Sequence, residues 1–173
     1  MGKIIFITGP VRSGKSRFAV KIAKEKFKNV VFIATGKPID DEMKERIKKH
    51  KESRPKEWKT IEEEIDIENF IKNGNAYIID CLTTWITNLI VNGYKEKEII
   101  RKVEKLIENI RKTNSSAIII SNEVGWGIVP ENKLARDFRD IIGNIHQIIV
   151  EKSDIFYLIV AGVPLKLKGG EIE

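Results

Sequence analysis

Short apolar runs of strand length alternate along the chain with segments whose apolar positions recur every three or four residues. The runs are KIIFIT (3–8), VVFIAT (30–35), AYIIDC (76–81), AIIIS (117–121) and IFYLIV (155–160), with LKLK (165–168) as a further edge candidate. Helical patterns cover 15–27, about Asp40 to His50, and the regions near 62–72, 83–91, 95–113 and 131–150. Strands this continuously apolar, separated by helices, predict an α/β fold with a mostly parallel central sheet and helices on both faces. No repeat, low-complexity tract or linker interrupts the pattern, and the polar NGN at 73–75 is the only candidate boundary. One domain is therefore expected over residues 1–173.

Composition narrows the class. With 173 residues and 42% hydrophobic content, one sizeable core is within reach. The longest apolar stretch, IFYLIVAGV at 155–163, is far short of a bilayer span, and the N-terminus runs straight into a strand. The chain is expected to be soluble, unprocessed and without stable membrane insertion. Its single cysteine, Cys81, excludes an internal disulfide or a cysteine-built zinc site and suits a reducing cytoplasm. The net charge of +6 is uneven: residues 1–60 carry 17 Lys and Arg against 7 Asp and Glu, and the remainder 14 against 18. A basic N-terminal third suits nucleic acid, an acidic membrane surface or a polyanionic small ligand, and a solvated lysine-rich surface gives the same numbers.

The choice among these begins at GPVRSGKS, residues 9–16, which fits G-x-x-x-x-G-K-[ST] between the first strand and the first helix. Gly9 and Gly14 let the backbone curl so that its N–H groups point at phosphate oxygens, and the helix N-terminus adds positive potential there. Lys15 should reach the β- and γ-phosphates, and the Ser16 hydroxyl should ligate Mg²⁺. A phosphate-loop enzyme also needs a carboxylate at the end of a neighbouring strand. Asp80, closing YIID, has the right pattern, although Thr83 and Thr84 make a plain helix cap an alternative reading, and Glu123 in IIISNEVG is the competing acid.

His50 lies in RIKKHKESRP, between Lys49 and Lys51. The preceding DDEM (40–43) suits a helix start, acidic where the macrodipole is positive, and Met43, Ile47 and His50 then share one face. Two readings compete. A histidine on an apolar face is commonly a packed core residue; alternatively, surrounding cations favour neutral imidazole, the nucleophilic form, and gather a triphosphate for it to attack. His146, in GNIHQII on a helix with apolar positions 138, 141, 142, 145 and 149, reads as structural.

The segments TGPVRSGKSRFA, IATG followed by DDEMKERIKKHKESRPKEWKTIEE, DCLTTWITNLI and SNEVGWGIVPENKLARDFRDIIGNIHQ together resemble the bifunctional adenosylcobinamide kinase / adenosylcobinamide-phosphate guanylyltransferase family of cobalamin assembly. The resemblance covers nearly the whole chain, and NEVGWGIVPENKLAR is its most specific part. It implies a P-loop NTPase-type (RecA-like) fold and two reactions: phosphorylation of adenosylcobinamide by ATP or GTP, then transfer of GMP from GTP to adenosylcobinamide phosphate with release of pyrophosphate. The second reaction would run through a guanylylated histidine, and the pattern H-x-x-x-R-P-x-x-W-x-T-x-E falls on His50, Arg54, Pro55, Trp58, Thr60 and Glu62. Nucleotide contacts are implied for Gly9, Pro10, Val11, Arg12, Ser13, Gly14, Lys15 and Ser16, for Ala34, Thr35 and Gly36, for Lys51, Glu52, Ser53 and Arg54, and for Glu62 and Asp80. Mg²⁺ is implied as cofactor, held by Ser16 and Asp80, and a homo-oligomer, a trimer, as the assembly. Arg12, Arg136 and Arg139 are candidates for assisting catalysis.

Two other functions fit parts of the sequence. A small-molecule kinase without nucleotidyl transfer would leave His50 structural, and retention of α-labelled GMP on the protein separates the two. A nucleic-acid-stimulated ATPase would use the basic N-terminal third, but the cations alternate with acids instead of interleaving with aromatics, and no nucleic-acid module is recognisable, so no nucleic-acid partner is expected.

Overall fold

The computed structural model describes residues 2–36, 41, 44, 45, 51 and 54–170. His50, Glu52, Ser53 and most of the helix expected over 40–50 lie outside the described residues. In chain order the elements are β1 (Ile4–Thr8), α1 (Lys15–Lys26), β2 (Val30–Ala34), β3 (Lys59–Glu62), a 3₁₀ turn (Ile67–Phe70), β4 (Ala76–Asp80), α2 (Leu82–Val91), α3 (Glu96–Lys112), β5 (Ser116–Ile120), α4 (Lys133–Lys152), β6 (Ile155–Val160) and β7 (Val163–Lys168).

One seven-stranded sheet has the order β3-β2-β4-β5-β1-β6-β7. Strands β1 to β6 pair in parallel, and β7 returns antiparallel on β6. The period-two geometry of a strand sends Ile4 and Phe6 into one apolar layer with α2, α3 and α4, and Ile5 and Ile7 into a second layer against α1. Every residue of β1 is buried, which is why its sequence is apolar without alternation. The mostly parallel α/β sheet with helices on both faces is thus borne out.

Helix α3 shows the sequence logic most plainly. Ile99, Val103, Leu106 and Ile110 fall on one face and are fully buried. Its N-terminus is closed by the Glu98 carboxylate accepting from the Lys95 backbone N–H at 2.8 Å, and Arg111 and Lys112 lie in its last turn.

One expected element is replaced. Instead of a helix near 62–72 there is an edge strand, β3, then the 3₁₀ turn. Glu63 is the reason: its Oε1 accepts from the backbone N–H of Ile65 at 2.9 Å and of Asp66 at 3.0 Å, folding the chain into a turn before a helix can propagate. Strand β7 also begins two residues earlier than LKLK, at Val163.

Because β1, β2, β4 and β5 are parallel, the loops that leave them lie along one edge of the sheet. Gly9–Ser16, Gly36, Asp80–Cys81 and Asn122 are all on that edge, where open parallel sheets hold their ligands.

Candidate active site

The loop between β1 and α1 is shaped by two glycines that fail differently if replaced. A Cβ on Gly9 would strike the Ile159 carbonyl oxygen on β6, so this position is closed by a neighbouring strand. Gly14, at φ 99°, is the left-handed N-cap of α1, a conformation that disfavours other side chains. Arg12 is also left-handed at φ 58°. Lys15 lies buried at the start of the helix, its Nζ donating to the carbonyls of Gly9 at 2.9 Å and Pro10 at 2.6 Å. Burial pushes the Lys15 ammonium below its usual pKa, with Cys81 and Asp80 acting the other way.

Ser16 Oγ donates to Asp80 Oδ2 at 2.8 Å, joining the loop to the end of β4. The N-cap of α2 is Cys81, not Asp80, and Glu123 takes no part in this contact. Of the readings open for Asp80, the geometry favours the one beside Ser16. The strand end is fixed by Thr35, whose fully buried hydroxyl accepts from Cys81 N–H at 2.9 Å and donates to Cys81 O at 2.8 Å. Thr35 thus holds the backbone, while its neighbours Ala34 and Gly36 line the cavity. Burial raises the Cys81 pKa, with Asp80 adding to the effect, so the residue stays a neutral thiol.

Opposite the loop, Lys51 pairs with Glu62 at the end of β3. Arg54 lays its guanidinium 3.6 Å from the ring centroid of Phe32, and its Nε and Nη1 are buried with no hydrogen-bond partner among the described residues. Burial lowers its pKa, opposed by the charges of Asp80 and Glu62. All these groups meet in one cavity of about 860 Å³, whose walls include Val11 to Ser16, Lys51, Arg54, Glu62 and Asp80. Gly9 and Pro10 stand behind that wall as acceptors for Lys15.

Several lining residues were not read as site residues from the sequence: Cys81, Thr84, Asn122, Ala161 and Gly162. Asn122 had a readable signal, since it follows the apolar run of β5 much as Asp80 closes that of β4. Ala161 and Gly162 had none, because their approach depends on the β6–β7 turn, where Gly162 N–H donates to Ser13 O at 2.8 Å. Of the arginine candidates, only Arg12 lines the cavity. Arg136 donates to the carbonyls of Pro130 and Glu131, and Arg139 to those of Ile128 and Gly125, bracing the loop before α4.

His146 is half-buried on α4, edge-on to Phe6 at 5.3 Å, with Nε2 2.8 Å from Ser121 Oγ and Nδ1 4.0 Å from Glu123 Oε2. Burial pushes its pKa down to about 4 against the opposing pull of Glu123, so the ring is neutral at ordinary pH.

Comparison with known proteins completes the picture. A family model described as cobinamide kinase / cobinamide phosphate guanyltransferase matches residues 5–167. The chain is 35% identical to the bifunctional adenosylcobalamin biosynthesis protein CobU of Escherichia coli (strain K12), over 95% of this chain and 99% of that one. Identity to CobU of Salmonella typhimurium (strain LT2) is 36%, over 95% and 99%. For the bifunctional adenosylcobalamin biosynthesis protein CobP of Pseudomonas aeruginosa it is 37%, over 94% and 96%. Among solved structures, an ATPase from the type III secretion system of pathogenic bacteria superposes with a TM-score of 0.59 at 12% identity, over 91% of this chain and 52% of that chain. A protein from Pyrococcus horikoshii OT3 does so with a TM-score of 0.57 at 12% identity, over 98% and 88%. These last two likenesses concern the fold alone.

Proposed function

We propose, from the premise that the chain belongs to the cobinamide kinase / cobinamide phosphate guanyltransferase family, that a single cavity on the phosphate loop serves both of its reactions. In the first, ATP or GTP lies along Gly9–Ser16, the hydroxyl of adenosylcobinamide attacks the γ-phosphorus, and the nucleoside diphosphate leaves. In the second, His50 attacks the α-phosphorus of GTP: an N–P bond forms, the bond to the β-phosphate breaks, and pyrophosphate departs. A phosphate oxygen of adenosylcobinamide phosphate then displaces the histidine, giving adenosylcobinamide-GDP and free imidazole.

The observation that carries this reading is the shared wall: the cavity that holds Ser16 and Asp80 is also lined by Lys51 and Arg54, the cations that flank His50 in sequence. Lys15, Lys51 and Arg54 put positive charge around one phosphate chain, and in phosphoryl-type transfers such clamping supplies most of the stabilisation. The hard oxygens Ser16 Oγ and Asp80 Oδ2, 2.8 Å apart, suit Mg²⁺, which keeps water and phosphate ligands and needs few from the protein. When bound there, Mg²⁺ neutralises charge on the phosphate oxygens. We further propose that the enzyme acts in the cytoplasm as a homo-oligomer, a trimer, with the exposed apolar side chains of β7 as support for a subunit contact.

Incubation with α-labelled GTP tests the scheme. Label should stay on the wild-type protein, be acid-labile and vanish in His50→Ala, while that variant keeps its kinase activity. Lys15→Ala should lose both reactions. Label retained by His50→Ala would sink the nucleophile assignment.

A further inference from the structure

The β5 strand continues past Ile120 into the site, and its backbone is held at every step. Ser121 N–H donates to Ile7 O at 2.9 Å and Glu123 N–H to Gly9 O at 2.9 Å, so the segment stays zipped to β1 up to the phosphate loop itself. Between them, Asn122 N–H donates to Thr83 Oγ1 at 2.7 Å. Strand alternation then sends Ser121 towards the helix layer that includes Ile119, and Asn122 towards the layer of Ile118, Ile120 and α1. That is the cavity side, and Asn122 is part of the cavity wall.

Behind Asn122 the polar groups run inward. Thr83 Oγ1 lies 3.0 Å from Ser121 Oγ, and Ser121 Oγ lies 2.8 Å from His146 Nε2. Thr83 and Ser121 are both buried. The proton order has one consistent solution. With Thr83 accepting from Asn122, its own hydrogen goes to Ser121, the Ser121 hydrogen goes to His146 Nε2, and that nitrogen must be bare. The imidazole is then neutral with its hydrogen on Nδ1, facing Glu123 Oε2. A histidine with the hydrogen on Nε2 would donate to Ser121 and leave one of the two hydroxyl hydrogens, that of Ser121 or that of Thr83, without an acceptor within this trio.

We propose that Asn122 is a catalytic residue of the phosphoryl-transfer step, its carboxamide donating to the transferred phosphate, and that His146 is a positioning residue that acts on Asn122 through Ser121 and Thr83. Asn122 stands between Lys15 and Asp80 in the order of the sheet, because β5 lies between β1 and β4. A donor there, on backbone that cannot shift, meets the developing charge without reorganisation. The proposal rests on the phosphate loop being the site of the kinase step.

The test is steady-state phosphorylation of adenosylcobinamide by the full-length variants, each checked by thermal melting. Asn122→Ala should lower kcat on the order of 100- to 1000-fold, the range seen when one such donor is lost, with the nucleotide KM little changed. His146→Leu, which fills the space but accepts no hydrogen bond, should lower kcat in the same sense, and His146→Gln, whose carbonyl can accept from Ser121, should recover most of it. In the double variant with Asn122→Ala, His146→Leu should cost nothing further, since it works only through Asn122. Should His146→Leu fail to fold, Ser121→Ala breaks the same chain and takes its place. Wild-type kcat in Asn122→Ala, or multiplicative losses in the double variant, would overturn the proposal. Lys15→Ala separates it from its premise: an active Lys15→Ala removes the phosphate-loop reading, whereas an inactive Lys15→Ala beside a fully active Asn122→Ala removes this proposal alone.

Discussion

Two cations, buried Lys15 and half-buried Arg54, share the cavity and are held in opposite ways. Lys15 is satisfied by loop carbonyls, whereas Arg54 rests on the Phe32 ring with Nε and Nη1 unpartnered among the described residues. A buried donor without an acceptor costs stability, and an arriving phosphate supplies the acceptor. Arg54→Met should therefore leave the melting temperature of the ligand-free protein unchanged or raise it, while weakening GTP binding on the order of 10-fold or more, a pair of opposite signs readable by melting and calorimetry. A merely structural arginine would lower the melting temperature and spare binding. His146 gives a second test at this scale. Its pKa is lowered to about 4 from an ordinary value of 6.5, so between those values the unfolded chain binds more protons than the folded one. Stability should be unaffected by this group above pH 6.5 and fall as the pH drops towards 4, by up to roughly 3 kcal/mol. Histidine NMR should show one ring titrating near 4 with its hydrogen on Nδ1; a ring titrating near 6.5 with no Nδ1 proton would contradict both the burial and the proton order.

At the scale of elements, the 3₁₀ turn depends on α3 for more than apolar packing. Glu68, 2% exposed, is paired through Oε1 with Lys102 at 2.7 Å, and Lys105 stands 3.6 Å away. Removing Lys102 leaves a buried carboxylate with one distant partner, so Lys102→Met should destabilise by about 3 kcal/mol, and Glu68→Gln in the same background should restore part of the loss. Urea denaturation of the two variants measures it, and equal stability of Lys102→Met and wild type would show that the pair carries nothing. The same region shows where the sequence stops being readable. The acids at 62–66 resemble the first turn of a helix, and only Glu63 bonding back to Ile65 and Asp66 makes them a turn. Strand β3 has a single partly buried apolar residue, Ile61, so its pairing with β2 was invisible in its own pattern. The buried strands β1, β4 and β5 announce themselves because a strand covered on both faces must be apolar throughout. In the site, Lys15 and Ser16 were legible through a short local motif, and Asp80 through its position at the end of an apolar run. Arg54 on Phe32, and Thr83–Ser121–His146, come together only through sheet order and helix packing, which no local spacing encodes.

For the whole molecule, the sheet has one edge closed by β3 and the other by β7, and the second is the more apolar. Val163, Leu165 and Leu167 are exposed on β7, with Val160 exposed at the end of β6. The lysines of this strand are drawn elsewhere: Lys168 donates to the carbonyls of Val150 and Glu151, and Lys166 to that of Gly170, which leaves the leucines without charged neighbours from their own strand. An exposed apolar edge is a hazard unless another surface covers it, and Pro164, which lacks an N–H, disfavours simple strand addition by a second sheet. A subunit contact through the side chains of β7 satisfies both facts. On the proposed trimer, Leu165→Glu combined with Leu167→Glu should accordingly reduce the mass in light scattering from about three times 19.8 kDa towards 19.8 kDa, with far-ultraviolet circular dichroism unchanged. Because the phosphate loop also touches the β6–β7 turn through Gly162 and Ser13, the dissociated variant should bind nucleotide less tightly than wild type. A double variant that keeps the full mass would place the contact away from β7, and the exposed Trp126 and Ile128 of the loop before α4 would then be the surface to substitute.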